Sequence, residues 1–379
     1  MALKVLHIFH SINHSGAEMM YASSAHLFIE EGVELNALST GDEIGTYVEI
    51  FKREGFTIFH MPLQRKWGIK YYLSILPYYI SFYRFLVRER FDVMHIHRNH
   101  LFWLYALVGK FAGIKIILRT VHSVFRPRFY RWPSYFLARH FSKRILKVKI
   151  TSIGQSVYEN ELNHFRNKTI VINNWYNDQV YKKWNLSSNT SLIQELGYNQ
   201  DSFVLISVGS CLPQKRHNDI IKALSILNLE IDNLYYLHIG TGALEEEEKK
   251  YAWLLGVENI KFIGNVDNVV DYFKVASVFI MPSELEGLGL SAVEAMAMEL
   301  PVIFYNSVGL KDLLDEKGTR GLLISKSVES LAEAVKIIYN DQKAASEMGK
   351  KAAKFVEKNY SMHKSVLKFI KLYRGEESI

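Results

Sequence analysis

Short apolar runs rich in Val and Ile recur along the chain: KVLHIF, ELNALS, FTIFHM, DVMHIH, KIILRTV, VKITSI and TIVIN, then FVLISVG, YYLHIG, IKFIG, VFIMPS and PVIFYN. Between most of them lie stretches such as AEMMYASSAHLFIEEG and RHNDIIKALSILNL, whose apolar residues return every three or four positions. The short runs read as strands and the longer periodic stretches as amphipathic helices. Strand and helix in alternation predict an α/β protein with parallel sheets covered by helices on both faces. The alternation pauses in the polar, aperiodic stretch from about Trp175 to Gln200, and a strong new strand begins at Ser202. The pattern therefore predicts an N-terminal domain over 1–175, a linker over 176–200 and a second domain over 201–355. The tail is helical in pattern from about Ala352 to Arg374, and its last segment, 356–379, is a candidate to cross back to the first domain. With about six strands each, the halves are expected to be doubly wound, Rossmann-like domains facing across a crevice, with ligands at the carboxyl ends of the strands.

A chain of 379 residues, 49% hydrophobic and 22% charged, can bury two cores. Its one cysteine, Cys211, excludes a disulfide framework and a multi-cysteine metal site, and fits a reducing compartment. The N-terminus MALKVLHIFHSI shows no cleavage pattern and reads as a first strand, so a cytoplasmic location is expected. The most apolar stretch, LFWLYALVGKFAGIKIIL, is interrupted by Lys110 and Gly113 and reads as a buried helix running into a strand, not a membrane span.

Net charge of +7 and a pI near 9.1 favour anionic partners. Residues 122–150 hold many Arg and Lys, no Asp or Glu, and interleaved aromatics, among them Arg126, Arg128 and Arg131 beside Phe129, Tyr130 and Trp132. Such a segment is either a solvated helix face with core aromatics or a surface that docks on an anionic membrane. A nucleic-acid-binding protein would use it too, but leaves the carboxylates considered next without a purpose, so no nucleic-acid partner is expected.

PSELEGLGLSAVEAMAMELPV sets Glu286 and Glu294 eight positions apart with glycine and small apolar residues between them. Either both are solvated on an ordinary strand-loop-helix connection, or they serve a ligand with many hydroxyls, because a buried carboxylate needs hydrogen-bond donors. Each half also opens with a glycine-bearing turn after a strand: Gly16 in HSINHSGAE, and Gly209 with the nearby Lys215 in SVGSCLPQKRH. Such a turn lets backbone approach a ligand and a lysine supplies charge for phosphate, although each feature alone is more often structural. HIGTGALEE, with Gly240 and Gly242, is a poor dinucleotide signal because it lacks the third glycine. His95 and His97 alternate on one strand, so one of them is a candidate core histidine, whereas His122 ends a strand at the presumed crevice mouth.

Taken in order, VGSCLPQKRHNDIIKAL, LHIGTGALEEE, IKFIGNVDNVVDYFKVASVFIMPSELEGLGLSAVEAMAMELPVI and GLLI closely resemble the donor domain of glycosyltransferase family 4, the E-x(7)-E retaining enzymes with the GT-B fold. SGAE, DVMHIH and TVHS in the first half are similar to further family segments. The resemblance implies that Glu286 contacts donor-sugar hydroxyls and Glu294 the ribose hydroxyls. It sets the backbone of Gly287, Leu288, Gly289, Leu290 and Ser291 beside sugar and diphosphate. It also implies Lys215 at the phosphates with Arg216 as helper, the base near Asn265 and Val266, donor contacts at Gly16, Gly209, Ser210 and Gly240, and His122 as an active-site histidine. Three positions depart from the family: Ser210 replaces a frequent Arg, Glu299 a usual Gly, and Asp312 a common Glu. Glu299 costs on the order of 1 kcal/mol if that helix end needs a left-handed residue.

The expectation is thus a retaining hexosyltransferase that takes a UDP- or GDP-linked sugar to a hydroxyl acceptor, a glycan or lipid-linked acceptor in cell-surface polysaccharide assembly. It would work in the cytoplasm or as a peripheral protein on the inner face of the cytoplasmic membrane. No Asp-x-Asp motif occurs, so neither a diphosphate-bound metal nor another cofactor is implied. A catalytically silent sugar-nucleotide-binding or scaffold protein of the same fold is the alternative, kept open by Ser210.

Overall fold

The computed structural model describes residues 2–63, 69–125, 127, 131–181, 190–199 and 201–376. The chain forms two compact units, one of Met1–Trp175 with Met362–Ile379 and one of Tyr176–Ser361.

The first unit is built on strands β1 (Leu3–Phe9), β2 (Val33–Ser39), β3 (Thr57–His60), β4 (Val93–Ile96), β5 (Ile116–Val121), β6 (Lys149–Ser152) and β7 (Ile170–Val171). They pair in the order β3-β2-β1-β4-β5-β6-β7, parallel throughout. Consecutive residues of β1 from Val5 to Phe9 are buried, which is the continuous apolar pattern of a strand covered on both faces. The apolar run from Leu101 divides as its Gly and Lys suggest: helix Phe102–Phe111 ends just before Gly113 at φ +83, and β5 follows. Among the described residues no helix is long and apolar enough to cross a membrane.

The last helix, Met362–Tyr373, belongs to this first unit. Met362, Val366, Phe369 and Tyr373, one helical stripe, enter the same core as Tyr21, Phe28 and Trp175. The single tail helix suggested by the pattern over 352–374 is two helices. Gln342–Asn359 belongs to the second unit, and the break falls at Tyr360 and Ser361, where Ser361 forms a bridge with Tyr176. That bridge draws backbone groups of Ser361 out of the helical ladder, which periodicity alone does not reveal.

The second unit is built on β8 (Phe203–Val208), β9 (Leu234–Ile239), β10 (Ile260–Gly264), β11 (Val278–Met281), β12 (Val302–Tyr305) and β13 (Leu322–Ile324). Their order is β10-β9-β8-β11-β12-β13, again parallel. The direction of winding reverses between β8 and β11, so a crevice opens there at the carboxyl ends of the two strands. The described parts of the stretch expected as a linker, including helix Thr190–Glu195, fall within this unit.

Candidate functional site

In the second unit the predicted residues follow the carboxyl ends of β8, β9, β10 and β11, four neighbours in the sheet. Gly209, Ser210, Lys215 and Arg216 follow β8, Gly240 follows β9, Asn265 and Val266 follow β10, and the segment from Glu286 to Glu294 follows β11. The reversal between β8 and β11 brings two of these loops face to face. Lys215 Nζ lies 2.6 Å from Glu286 Oε1, across 71 residues of sequence, with 18% and 13% of the two side chains exposed. Water is scarce enough there for the pair to hold both groups at one point, and an entering anion would compete with Glu286 for the ammonium.

The backbone around Glu286 is tied from two sides. Glu284 N donates to Gln214 O at 2.8 Å and Glu286 N donates to Val308 O at 3.0 Å. Gly309, at φ +91, lies so close that an added Cβ would meet Glu286 O at 2.5 Å. Ser291 Oγ donates to Val208 O at 2.9 Å, which fastens the start of helix Leu290–Ala297 to the end of β8. Ala292 N and Val293 N donate to Gly289 O at 3.0 and 3.2 Å, and the N-terminal end of a helix is in general a setting suited to an anion.

Glu294 sits within this helix and retains only a partly exposed edge. Burial pushes its carboxyl up to about 8, opposed by a hydrogen bond from Tyr181. A carboxyl group held in its neutral form at neutral pH gains from a ligand that donates hydrogen bonds to the charged form.

Several glycines have reasons other than ligand access. Gly289 is the N-cap at φ +80, and a Cβ there would meet Leu310 Cδ2 at 2.8 Å and Met281 Sδ at 3.2 Å. A Cβ on Gly240, at φ +133, would meet Gly209 O at 2.1 Å. Both positions are dictated by the chain's own packing, where the sequence suggested room for a ligand. Gly209 lies beneath Lys215, whose Nζ would be 3.6 Å from an added Cβ. Gly287 and Leu290 are half-buried and Leu288 is buried. Asn265 is exposed and donates to Thr241 Oγ1 at 3.0 Å, while Val266 is half-buried. Arg216 is already engaged: Nε donates to Asp219 Oδ2 at 2.9 Å, and the Tyr305 hydroxyl donates to the same oxygen at 2.8 Å.

Gly16 and His122 lie in the first unit, Gly16 exposed at the start of helix Gly16–Ser23. His122 follows β5 and is the end of a row of imidazoles. His7 Nδ1 is 3.0 Å from His97 Nε2, and His97 Nδ1 is 3.0 Å from His122 Nε2. Burial lowers His7 to about 3 and His122 to about 4, the latter with help from Arg119, and holds His97 well below its ordinary value. Three neutral rings carry one proton each, so the row has two consistent directions of donation. In one direction His122 Nδ1, unpartnered among the described residues, carries a proton; in the other it is a bare acceptor. His95, on β4, is the core histidine, held by Tyr373 and Thr120 at 2.7 Å each, whereas His97 directly follows the strand.

Two family models match the chain: "Glycosyltransferase Family 4" over residues 14–179 and "Glycosyl transferases group 1" over residues 188–355, together most of its length. The chain belongs to glycosyltransferase family 4. It is 25% identical over 309 residues, 78% of each chain, to UDP-Gal:alpha-D-GlcNAc-diphosphoundecaprenol alpha-1,3-galactosyltransferase of Escherichia coli. It is 29% identical over 164 residues to the capsular polysaccharide biosynthesis glycosyltransferase CapM of Staphylococcus aureus, spanning 42% of this chain and 43% of that relative. The chain thus spans under half the length of some curated relatives it matches. Among solved structures, Anabaena HepE in complex with UDP and glucose superposes with a TM-score of 0.82 at 17% identity, covering 97% of this chain and 98% of that one. The fold is GT-B, two Rossmann-like domains.

Within this family-4 chain, Ser210 is an exposed loop residue, so the position where many members carry arginine offers only a hydroxyl. Glu299 does adopt the left-handed conformation that the family usually gives to glycine, at φ +60. Asp312 ends a short helical turn, Leu310–Asp312, directly after Gly309. Sequence reasoning missed Tyr181 and the role of Gly309. Tyr181 lies in an aperiodic stretch without a signal, whereas Gly309 stands in VGLKDLL, shortly after the apolar run PVIFYN, and could have been flagged as a glycine following a strand.

Proposed function

We propose that this protein is a retaining glycosyltransferase that moves a hexosyl group from a nucleoside-diphosphate sugar to a hydroxyl acceptor. The observation that carries this reading is the contact of Lys215 with Glu286 where β8 and β11 part, with Glu294 eight residues further along the same segment. In this reading the diphosphate takes the Lys215 ammonium and the start of helix Leu290–Ala297, whose dipole and backbone stabilise the charge that grows on the leaving group. Glu286, released from its ion pair, accepts hydrogen bonds from sugar hydroxyls and positions the ring without acting as a nucleophile. Glu294 accepts from the ribose diol. His122 is the proposed active-site histidine on the acceptor side, with its tautomer coupled to those of His97 and His7. Catalysis then rests on positioning and fixed charge, with no divalent metal required on the diphosphate, consistent with the lack of an Asp-x-Asp motif.

A lipid-linked or growing glycan is the proposed acceptor. The E. coli relative is named for a diphosphoundecaprenol-linked acceptor and the S. aureus relative for capsular polysaccharide. The UDP found with HepE supports a UDP sugar as the first donor to try. A scaffold role is favoured only by Ser210. The deciding assay incubates the full chain with UDP- and GDP-hexoses and a polyprenyl-diphosphate-linked sugar, with and without EDTA, and reads the product's anomeric configuration by NMR. Transfer with retained configuration that survives EDTA is expected. An inverted product, or activity restored only by Mg²⁺ or Mn²⁺, overturns the mechanism, and binding of UDP without transfer to any acceptor favours the scaffold.

A further inference from the structure

Directly beneath the loop that carries Ser210 and Lys215, four side chains from four places in the second unit converge. Cys211 comes from the loop after β8, His217 from the first position of helix His217–Leu227, His238 from β9 and Glu248 from helix Glu245–Leu254. All are buried, with exposures of 0%, 4%, 0% and 1% respectively. One potential ligand atom from each lies within 4.8 Å of every other. Cys211 Sγ is 3.2 Å from His238 Nε2, and His217 Nδ1 is 3.1 Å from Glu248 Oε1.

We propose that Cys211, His217, His238 and Glu248 form a divalent-metal site, with zinc the ion that fits. One thiolate, two imidazoles and one carboxylate make a borderline-soft set of four, the usual number for a closed tetrahedral zinc site. With metal–sulfur bonds of about 2.3 Å and metal–nitrogen bonds of about 2.0 Å, the edges of such a tetrahedron are about 3.3–3.5 Å. The two contacts above fall within a few tenths of an ångström of that. His238 is also oriented as a ligand is: its Nδ1 is 3.0 Å from Ser207 Oγ, which in turn is 2.6 Å from the Tyr236 hydroxyl, leaving Nε2 for the centre of the cluster. Metal-bound histidines commonly have their second nitrogen occupied in this way.

A second observation concerns an atom that none of these contacts uses. Glu248 Oε2 is buried with no hydrogen-bond partner among the described residues, and an unpartnered carboxylate oxygen away from water is costly. Two hydrogen-bonded pairs, Cys211 with His238 and His217 with Glu248, account for the two short contacts but leave that oxygen dry. A dication satisfies it, and a thiolate plus a carboxylate cancel its charge, so the buried cluster becomes neutral.

The site would act as a staple. Cys211 N donates to Thr241 O at 3.1 Å and Leu244 N donates to Cys211 O at 3.0 Å. An added Cβ on Gly242 would meet Cys211 O at 2.6 Å, so the loops after β8 and β9 are already pressed together. A metal below them would lock the segment from Cys211 to His217, on which Lys215 stands. The proposal does not depend on the transfer reaction, and these four residues are positioning residues for that loop.

The test uses the full chain carrying no polyhistidine tag, purified over chelating resin. Elemental analysis should find about one zinc per chain. Protein grown with cobalt should show thiolate-to-cobalt charge transfer together with the intense visible bands of tetrahedral cobalt. Cys211 is the sole cysteine of the chain, so the charge-transfer band assigns itself. Cys211→Ser should abolish it, and Ser207→Ala should weaken zinc about 10- to 100-fold in chelator competition while leaving the ligands in place. Protein that holds no zinc and gains no thermal stability from added zinc sulfate overturns the site, as does cobalt protein without the thiolate band. If Cys211→Ser fails to fold, the cobalt spectrum of the unaltered chain still decides.

Discussion

Glu286 and Glu294 are the same residue type eight positions apart, yet their surroundings differ, and so do the consequences of removing them. Glu286 meets a lysine at 2.6 Å. Glu294 meets a tyrosine hydroxyl in a setting dry enough to raise its carboxyl from an ordinary 4.5 to about 8. In calorimetry above about pH 8, where this carboxyl is ionised, Glu294→Ala is expected to weaken free nucleoside diphosphate by about 1.5–3 kcal/mol, the range for hydrogen bonds to a charged group. Glu286→Gln is expected to cut turnover sharply with little change in that affinity, and equal losses in both variants sink the division of roles. The raised carboxyl also makes stability depend on pH. A group whose native pKa lies above its unfolded one stabilises the fold fully below the unfolded value and loses that contribution as pH rises through the native value, here from about 4.5 towards about 8. Wild type should therefore lose stability relative to Glu294→Gln between about pH 5 and about pH 8, by at least about 1 kcal/mol, since one pKa unit is worth about 1.36 kcal/mol. Urea midpoints at the two pH values measure it, and an unchanged gap between the proteins contradicts the shift. The glutamate pair itself was legible from spacing and glycine content. Its partners were not: Lys215 is brought to Glu286 across 71 residues by the strand order, and Tyr181 comes from a stretch with no periodicity. The buried Cys211, His217, His238 and Glu248 were hidden in the same way, because four ligands on four segments leave no compact spacing to read.

At the scale of elements the strands were the most legible feature, since a parallel strand buried on both faces announces itself as an unbroken apolar run, as in FVLISV of β8. Helix ends were harder. The break at Tyr360 and Ser361 depends on a bridge to Tyr176, and the turn at Gly289 depends on Leu310 and Met281 as much as on any ligand. Glu299 was legible as an anomaly, and the structure supplies its cost. After helix Leu290–Ala297 it sits at φ +60, Leu300 N donates back to Ala295 O at 3.2 Å, and its own carbonyl is packed so closely on Gly349 that a Cβ there would lie 1.9 Å away. The backbone is thus held left-handed around a residue that pays a steric penalty for it. Glu299→Gly is expected to stabilise the protein by about 0.5–1 kcal/mol, the relief of that strain less the extra freedom glycine gives the unfolded chain. Gly349→Ala should destabilise it, because the clash there is with backbone. A lower urea midpoint for Glu299→Gly would mean that the glutamate side chain contributes more than its backbone costs.

For the molecule as a whole, charge and surface were legible in total but not in distribution. The excess of +7 drew attention to residues 122–150. Arg126, Arg128, Phe129 and Tyr130 of that segment lie outside the described residues. The structure withdraws one of the remaining cations: Arg139 is fully buried, with Nε and Nη2 on the Glu161 carboxylate at 2.8 Å and its guanidinium over the Phe165 ring at 3.8 Å. What stays outside is a mixed surface on and just beyond helix Trp132–Arg144. Leu137 and Ile145 are 64% and 67% exposed, Trp132 is 38% exposed, and Arg131, Arg144 and Lys147 are exposed near them. Leu137, Phe141 and Ile145 line an apolar groove with Trp103, and Arg144 stands at its edge. Apolar side chains beside cations suit an anionic bilayer surface, where aromatic and aliphatic groups enter the interface and cations meet the headgroups. Each basic residue near the lipid contributes on the order of 1 kcal/mol, screened over a Debye length of about 10 Å at 0.1 M salt. Co-sedimentation with phosphatidylglycerol vesicles should therefore pellet the protein at low salt and release part of it as salt rises. Changing Arg131, Arg144 and Lys147 together to Ser should remove the salt-sensitive part, and changing Leu137 and Ile145 to Ser should remove the part that salt leaves behind. Equal pelleting of wild type and both variants rules this surface out as the docking face. No pelleting of the wild type on any anionic vesicle would make a soluble acceptor the better one to try in testing the proposed transfer.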